Sequence, residues 1–428
     1  MERKFALDGV RITDFSWYGA APYATRFLAA YGAEVIRIES STKLDGMRWQ
    51  APRKQDVPES YNISGMFNNF NTGKLGITLN MNHSEARDIV KKLVAISDVV
   101  IDNFYPGAME KWGLGYEELV GIKAGIIVVK MPVTGITGPY ARWRGFGTSI
   151  RTMAGIDYMT GNPDRPPIGT GMAALPDFSS NPYHAVTAIL SALHYRNKTG
   201  KGQFIEVAQF ESTVCWTETS VLDYAVNGRI QRAMHNRLPH AVPHGVYRCR
   251  AEDSEVDYCA MPESVPERRM KDERWCAIAV FTDDEWKAFC TVIGNPPWTT
   301  EDRFITFQDR KTHEDELDRL IEAWTIDKSP EEVMMMMQQA GVAAGVVQDG
   351  EDLLTRDPQL RDRGFYVYLE HPEAGVIAHD GLTFSLSTTP GEIRRAPLLG
   401  EHNEFVYREI LGFSEDDIDK LIVEGILE

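Results

Sequence analysis

The feature that most limits the fold is an alternation of short β-rich runs with helical runs through the first third of the chain. VRITDF (Val10–Phe15) and EVIRIE (Glu34–Glu39) flank a helical run near Pro22–Tyr31 that Gly32 closes. This order predicts a strand–helix–strand unit. The alternation continues through KLGITLN (Lys74–Asn80), a helix capped by Asn82, DVVIDNF (Asp98–Phe104) and GIIVVK (Gly125–Lys130).

Such an alternation predicts an α/β fold with a mainly parallel sheet and right-handed crossovers. In these sheets, ligands bind at the carboxyl ends of the strands. The segments that follow Phe15, Phe104 and Lys130 are therefore candidate site loops.

The pattern changes between about Asn227 and Pro297, where strand-like and helix-like runs surround the polar segment Ala251–Arg274. This change predicts a smaller α+β domain. The polar segment is interpreted as a solvated insertion, with partner docking as the alternative. A helix with four methionines (Met334–Met337) follows, and its methionines either fill the core or line an apolar acyl pocket.

Composition narrows the function. The 428 residues carry a net charge of −17, which disfavours binding to nucleic acid. The N-terminus lacks a signal-peptide core and no run of about 18 apolar residues occurs, so we expect a cytoplasmic protein that does not enter the membrane. The five cysteines have no zinc spacing, and no metal is predicted.

Asp177 is the only acid between Gly169 and Gln203. It lies just before a predicted helix that starts with Asn181 as N-cap and Pro182 as first residue, and that runs to about Arg196. A carboxylate at a helix N-terminus is favoured in its ionised form. The residue types alone leave two interpretations open, a capping or turn role and a functional one.

Two glycine-containing segments are weaker candidates. TGKGQ (Thr199–Gln203) lacks the spacing of a phosphate-binding loop and is interpreted as a turn after a helix. GFG (Gly145–Gly147) has no third glycine at the required position, and no helix is expected to open there, so it is not a dinucleotide fingerprint.

Several ordered motifs resemble the class III CoA-transferase family, which includes formyl-CoA and carnitine CoA-transferases. The resemblance covers nearly the whole chain. It is carried by LDGVRITDF, AAYGAEVIRIE, NNFNTGKLGITLN, DVVIDNFYPGAMEKWGLGYEEL, PDFSSNPYHAVTAILSALHYRNKTGKGQ and LLGEHN.

The resemblance implies a large Rossmann-like domain built from residues 1–222 and 355–428 and a small domain of residues 223–354. It also implies two chains interlocked as a dimer, either a homodimer or a heteromer with a related subunit. The expected ligands are an acyl-CoA, with coenzyme A as a substrate, and a carboxylic acid, with no metal.

The resemblance also implies the site. Asp177 matches the family's catalytic aspartate, which attacks the donor thioester and passes through a mixed anhydride and an aspartyl-CoA thioester. Backbone amides of MPVTGITGPY (Met131–Tyr140) and GFGTS (Gly145–Ser149) are the candidates for stabilising the oxyanions. The residues matched to CoA contacts are Trp17, Tyr18, Gly19, Ala20, Lys74, Asn103, Phe104, Lys111 and Lys130.

The chain departs from formyl-CoA transferase at three places. Trp17-Tyr18-Gly19 replaces a His-Val-Gln segment, Pro132 replaces a tyrosine, and the glycine tetrad has no counterpart near Val242–Cys249. The loss of the tetrad, the aromatic pair Trp17–Tyr18 and the Met-rich helix together predict a roomier, less polar acyl site and a bulky apolar or aromatic acid, as in the benzylsuccinate CoA-transferases.

Two rival functions stay open at this point. An α-methylacyl-CoA racemase would need a histidine base upstream of the aspartate, and no histidine lies between His83 and His184. A non-catalytic subunit of a heteromeric CoA-transferase would bind CoA without turnover, and the presence of Asp177 disfavours it.

Overall fold

The structure is a computed structural model that describes residues 5–167, 169, 175–251 and 273–428. The chain divides into two compact units. The larger contains Met1–Thr160, Pro167–Arg232 and Pro358–Glu428, and the smaller contains Gly161–Pro166 and Ala233–Asp357. The domain boundaries implied by the resemblance, after residues 222 and 354, stay a prediction.

A six-stranded parallel sheet forms the centre of the larger unit. Its strand order is β3-β2-β1-β4-β5-β6, so the chain reverses its direction of travel across the sheet between β1 and β4. This is the doubly wound order, in which the point of reversal opens a crevice at the carboxyl ends of the strands. The strands are β1 (Arg11–Asp14), β2 (Glu34–Glu39), β3 (Leu75–Thr78), β4 (Val99–Asp102), β5 (Ile127–Lys130) and β6 (Phe204–Glu206).

Alternate residues of each strand point to opposite faces of the sheet, and both faces are buried. Val100 packs into one hydrophobic core with Leu93 and Leu119. Its neighbour Ile101 packs into the other core with Leu28 and Ile189. Burial on both faces explains why β4 (VVID) and β5 (IVVK) have consecutive apolar residues rather than alternating ones.

The helices of the larger unit cover the sheet, and a two-stranded antiparallel hairpin, β10 (Tyr366–His371) with β11 (Gly375–Asp380), also belongs to this unit. Short 3-10 segments lie at Gly46–Trp49 and Cys215–Thr217, and a π-helical turn at Phe405–Ile410. The α-helices are α1 (Ala20–Ala30), α2 (Gly65–Phe70), α3 (Ser84–Ile96), α4 (Ala108–Lys111), α5 (Tyr116–Ile122), α6 (Gly147–Met153), α7 (Ile156–Met159), α8 (Leu175–Ser179), α9 (Asn181–Thr199), α10 (Gln209–Val214), α11 (Glu218–Asn227), α17 (Pro358–Asp362) and α18 (Glu415–Val423).

The smaller unit is α+β, with an antiparallel sheet in the order β7-β8-β9. Met337 is fully buried in its core and Met334 packs against that core, whereas Met335 and Met336 are exposed. The core-filling interpretation therefore holds for two of the four methionines. The elements are β7 (His244–Cys249), β8 (Arg274–Ala279), β9 (Ala343–Val346), α12 (Asp283–Val292), α13 (Asp302–Ile305), α14 (Phe307–Thr312), α15 (Glu314–Thr325) and α16 (Pro330–Gln339), with a 3-10 turn at Pro297–Thr300 and a π-helical turn at Asp352–Arg356.

Three local predictions were wrong. A helix does open at the GFG segment, because α6 begins at Gly147 with Phe146 as its N-cap. His83 rather than Asn82 is the N-cap of α3. Asp177 does precede α9, as predicted, and lies in the short helix α8. Ser180 rather than Asn181 is the N-cap of α9, so Asn181 is already helical and its side chain is free for other contacts.

The polar segment Ala251–Arg274 lies outside the described residues except at its two ends. Four cysteines in the described residues, Cys215, Cys249, Cys276 and Cys290, are free thiols. Within the described ranges, no helix is both long and apolar enough to span a bilayer.

Candidate active site

Two loops meet at the point of reversal in the sheet, one after β1 and one after β4. Asn103, the first residue after β4, joins them through two hydrogen bonds to the main chain of Trp17. The Trp17 amide donates to Asn103 Oδ1 at 2.9 Å, and Asn103 Nδ2 donates to the Trp17 carbonyl at 2.7 Å. Asn103 therefore fixes the loop that leads into α1.

The next residue, Tyr18, has a left-handed backbone with φ of 59°, which is uncommon for a residue other than glycine. Its amide donates to Asp45 Oδ1 at 3.1 Å, and Asp45 is itself paired with the buried Arg37. The Tyr18 ring lies where a Cβ on Gly46 would have to be, and it packs edge-on against Phe146 with ring centres 5.2 Å apart. A buried ion pair and a close aromatic contact thus hold this strained loop in place.

Asp177 lies directly against the start of α1. A Cβ added to Gly19, the N-cap of α1, would lie 2.9 Å from Asp177 Cβ and 3.2 Å from its Oδ2. No residue larger than glycine fits there without a shift. Asp177 precedes α9, as expected from sequence. Its carboxyl group also lies beside the N-terminus of a second helix, α1.

A pocket of about 200 Å³ opens in front of Asp177. Five aromatic rings contribute to its walls, and the polar side chains facing it are those of Asp177, Asn103 and Gln209. Its lining is Trp17, Tyr18, Gly19, Ala20, Asn103, Phe104, Tyr105, Val133, Gly145, Phe146, Gly147, Asp177 and Gln209.

Burial raises the pKa of Asp177 to about 7, and a hydrogen bond from the Asn181 side chain partly opposes that rise. Around neutral pH the carboxyl group is therefore poised between its acid and anionic forms. A poorly solvated carboxylate is a stronger nucleophile than a fully hydrated one, and a perturbed pKa in a pocket is typical of functional sites.

Behind Asp177 lies a buried polar network that the sequence did not predict. Asn181 Nδ2 donates to Gln209 Oε1 at 3.2 Å, and Gln209 Nε2 donates to the Met131 carbonyl at 2.6 Å. The Ser212 hydroxyl donates to Asn181 Oδ1. The residues come from three separate segments, so no local pattern could have brought them together.

A second pocket of about 330 Å³ adjoins the first and shares Trp17, Phe104 and Tyr105 with it. It lies over the carboxyl ends of β1 to β4, and Lys43 is its cation, with Nζ 5.7 Å from the centre of the Trp17 ring. Its remaining lining residues are Phe15, Ile38, Glu39, Ser40, Thr42, Leu79, Asn80, Met81, Asn82, Ala108 and Trp112.

Lys74, matched to a CoA contact by resemblance, lines neither pocket. Its side chain is fully buried, and Nζ donates to Asp14 Oδ2 at 3.1 Å, to Asn71 Oδ1 at 2.9 Å and to the Pro22 carbonyl at 3.0 Å. Burial lowers the pKa of Lys74 to about 8. All three N–H donors of the Lys74 ammonium group are used inside the protein. Lys74 therefore has a structural role.

The other two matched lysines also lie outside the lining of both pockets. Lys130 ends β5 and pairs with Glu110, while Lys111 ends α4 with its side chain exposed. Asp102, next to Lys130 at the strand ends, is buried, and burial raises its pKa to about 7 against the opposing effect of Lys130. The structure thus gathers Trp17, Tyr18, Gly19, Ala20, Asn103 and Phe104 around Asp177, but not Lys74, Lys111 or Lys130.

The two segments expected to supply oxyanion-binding amides contribute unequally to the lining of the Asp177 pocket. Gly145, Phe146 and Gly147 all line the Asp177 pocket at the start of α6, whereas only Val133 of the Met131–Tyr140 segment does. No histidine is among the residues that line this pocket. In the described part of the chain, no group of three or more His, Cys, Asp or Glu residues could hold a metal ion.

The sheet order and the partly buried carboxyl group at its point of reversal place the chain among the doubly wound α/β proteins. The chain belongs to CoA-transferase family III, whose family model matches residues 7–271 and 267–403. It is therefore a class III CoA-transferase, a transferase that acts on CoA thioesters and acids.

Named relatives extend over almost the whole chain. The succinyl-CoA–D-citramalate CoA-transferase of Chloroflexus aurantiacus is 32% identical, covering 98% of each chain. A formyl-CoA:oxalate CoA-transferase of Rhodopseudomonas palustris is 30% identical over 99% of this chain and 97% of the relative. The beta subunit of a succinyl-CoA–L-malate CoA-transferase, also from Chloroflexus aurantiacus, is 28% identical over 97% of this chain and 96% of the relative.

The fold has a counterpart among solved structures. The crystal structure of a CAIB/BAIF family protein from Brucella suis superposes with a TM-score of 0.82 at 28% identity, over 95% of this chain and all of the other. The α/β architecture with a mainly parallel sheet, predicted from the strand and helix alternation, is thereby confirmed, and the sheet has six parallel strands.

Proposed function

We propose that this chain moves CoA from an acyl-CoA donor to a carboxylic acid through a covalent intermediate on Asp177. The observation that carries the proposal is the position of the carboxyl group, which lies in the wall of a pocket at the sheet's point of reversal, packed against Gly19 at the start of α1. Burial and an unusual pKa are what a carboxylate nucleophile needs, because full hydration would weaken its attack.

The exchange balances without an external acid or base. An Asp177 oxygen attacks the thioester carbonyl, the C–S bond breaks, and CoA leaves as a thiolate, which produces a mixed anhydride. The thiolate then attacks the aspartyl carbonyl, releasing the donor's carboxylate and forming an aspartyl-CoA thioester. The acceptor carboxylate repeats these steps in reverse order and regenerates Asp177. Amides at the start of α6 would stabilise the oxyanions.

The two adjoining pockets suit an elongated thioester. We assign the reacting acyl group to the Asp177 pocket and the CoA chain to the larger neighbour, since Trp17, Phe104 and Tyr105 belong to both. Lys43 would meet a phosphate there as a point charge. Lys74 is not part of this assignment, because its donors are already used.

Five aromatic rings around a small pocket support an acid with an apolar or aromatic skeleton. The methionines of α16 no longer support it, since Met334 and Met337 pack with the core of the smaller unit. A short hydroxy-dicarboxylate is the second candidate acceptor, favoured by the relative that acts with D-citramalate.

An interlocked dimer remains the proposed assembly, and a cytoplasmic location the proposed setting. Support for a partner chain comes from α11, none of whose residues is buried. Exposed apolar side chains are concentrated on it, with Val221 at 53%, Tyr224 at 61% and Val226 at 79% exposure. A heteromer is the alternative, since two relatives are named as the beta and alpha subunits of one enzyme. Native mass spectrometry of the purified chain distinguishes the two.

The decisive experiment is an exchange assay with a panel of acyl-CoA donors and of aromatic, hydroxy-dicarboxylic and oxalate acceptors. Asp177→Asn should abolish exchange, whereas Asp88→Asn, at an exposed position on α3, should not. Hydroxylamine should convert the aspartyl thioester to a hydroxamate on the peptide that contains Asp177. Full turnover by Asp177→Asn contradicts the covalent scheme.

Two further results would favour the rival functions. Uptake of deuterium from solvent into a 2-methylacyl-CoA, without any exchange, would indicate a racemase. Activity that appears only when a second, related chain is added would indicate a subunit of a heteromer.

A further inference from the structure

We infer that Arg37 and Asp45 are positioning residues for the nucleophile Asp177. The two side chains form a buried ion pair, and neither lines the Asp177 pocket or its larger neighbour. They act through the loop between β1 and α1, which ends at Gly19, the residue packed against the Asp177 carboxyl group. The inference rests on the proposed function of Asp177, and it adds two residues that lie behind the site rather than in it.

Arg37 holds this loop at two points. Its Nη1 donates to the Ser16 carbonyl at 2.7 Å. Its Nη2 pairs with Asp45, whose two carboxylate oxygens lie 3.1 and 3.2 Å from the Tyr18 amide nitrogen that donates to them. One planar guanidinium group therefore fixes both Ser16 and Tyr18, the first directly and the second through Asp45.

The ion pair is itself firmly placed in the larger unit. The Arg37 side chain is fully buried, lies 5.3 Å from the centre of the Phe67 ring and has its Nε 3.4 Å from a carboxylate oxygen of Glu39. Asp45 is also the N-cap of the 3-10 segment Gly46–Trp49. The loop is thus positioned by side chains of the folded core, which is preorganisation of the site.

This support has a consequence for Asp177 because of the backbone of Tyr18. Its φ of 59° is left-handed, and such a conformation persists in a residue other than glycine where the surroundings impose it. If Tyr18 relaxed, the next residue, Gly19, would move relative to Asp177. A Cβ built on Gly19 lies only 2.9 Å from Asp177 Cβ, so this contact leaves little room for such a movement.

The test compares two substitutions of Asp45. Asp45→Ala removes the acceptor of the Tyr18 amide as well as the partner of Arg37, whereas Asp45→Asn keeps an oxygen for that amide and loses the charge. The readout is the single-turnover formation of the aspartyl-CoA thioester, trapped with hydroxylamine below the melting transition of each variant. We expect the rate to fall by about 10–100-fold in Asp45→Ala and by less than about 3-fold in Asp45→Asn.

Tm separates positioning from stability. Both Asp45 variants should melt at a lower temperature than the parent, because each leaves the buried Arg37 with one carboxylate fewer. Only Asp45→Ala should also lose rate. Arg310→Met is the matched control, since Arg310 is another fully buried arginine paired with an aspartate, Asp283, and it should lower Tm without slowing thioester formation.

Arg37→Lys provides the test if Asp45→Ala does not fold. A single ammonium group cannot reproduce the two-point contact of the guanidinium group, so this variant should also slow thioester formation. Parent-like rates in Asp45→Ala and Arg37→Lys, with Asp177→Asn inactive, overturn the inference and leave the proposed function standing. Equal rate losses in Asp45→Ala, Asp45→Asn and Arg310→Met also overturn it, because the rate then follows stability alone. Full activity of Asp177→Asn overturns the proposed function and the inference together.

Discussion

Gly19 and Asp177 are packed so closely that the first cannot carry a side chain without displacing the second. A Cβ added at position 19 would lie 2.9 Å from Asp177 Cβ, which is below normal contact. These residues are far apart in sequence, and their contact aligns the carboxyl group with the start of α1. The contact therefore links the geometry of the loop after β1 to the position of the nucleophile.

Gly19→Ala should accordingly lower kcat by about 10–100-fold, because displacing a reacting group by a fraction of an ångström removes its alignment. Thermal stability should change little, since the added methyl group moves one short helix. Gly121→Ala in α5 is the matched control, as nothing lies within 4 Å of its added Cβ. Equal kinetics in both variants would contradict the proposed contact.

The pKa of Asp177 predicts the pH dependence of exchange. The attacking form is the anion, and burial holds the pKa at about 7, so kcat/KM should fall as the pH decreases below about 7. An ordinary aspartate would keep the rate constant down to about pH 4. Steady-state profiles with a saturating acceptor check this, and a profile that stays flat to pH 5 would contradict it.

The raised pKa of Asp177 means that its ionisation destabilises the folded state. Its pKa is raised from 3.8 when unfolded to about 7 when folded, so the native state binds more protons in that range and loses stability as the pH rises through it. Asp177→Asn should therefore raise Tm, by the equivalent of about 1–3 kcal/mol at pH 8.5 after allowing for partial solvent access. The gain should be smaller at about pH 5. Calorimetry of the variant and the parent at both values tests the sign.

Substitutions of Lys74 and Lys43 should have different effects, one on the stability of the fold and the other on the KM for the acyl-CoA. Lys74→Met leaves the buried Asp14 without its cation and should destabilise the fold by about 3–5 kcal/mol. Lys43→Met, at an exposed position in the larger pocket, should raise KM for the acyl-CoA and leave Tm unchanged. Thermal melting and initial rates distinguish them. A stable Lys74→Met enzyme with a raised KM would restore Lys74 as a CoA contact.

Trp17→Ala tests how the two pockets are joined. From sequence, Trp17 is matched to a CoA contact and is also expected to form a wall of the acyl site. The structure makes it part of both pockets, edge-on to Phe104 with ring centres 5.6 Å apart. Removing contact area worth about 1–3 kcal/mol should therefore raise KM for the acid and for the acyl-CoA together. KM should be measured separately for the acid and for the acyl-CoA. A rise in KM for the acid alone would contradict this arrangement.

Most of the larger unit's sheet could be read from the sequence. The runs that become β4 and β5 are mainly apolar because both faces of the sheet are covered, and this composition is visible locally. The runs that become β1 and β2 were recognisable from their β-branched residues and from the helix between them. Asp177 was also recognisable, since it is the only acid between Gly169 and Gln203 and precedes a helix. Periodicity and residue type are local properties, so they determined the elements and one candidate.

The environment of Asp177 was decided by the tertiary structure alone. Its pKa depends on burial beneath loops from β1, β4 and α6, and Gln209, which follows β6, lines the same pocket. Lys74 likewise resembles a phosphate contact until its partner Asp14 is seen. Desolvation and hydrogen bonding act between atoms that the fold brings within a few ångströms, whatever their separation along the chain, and sequence patterns carry no record of those distances.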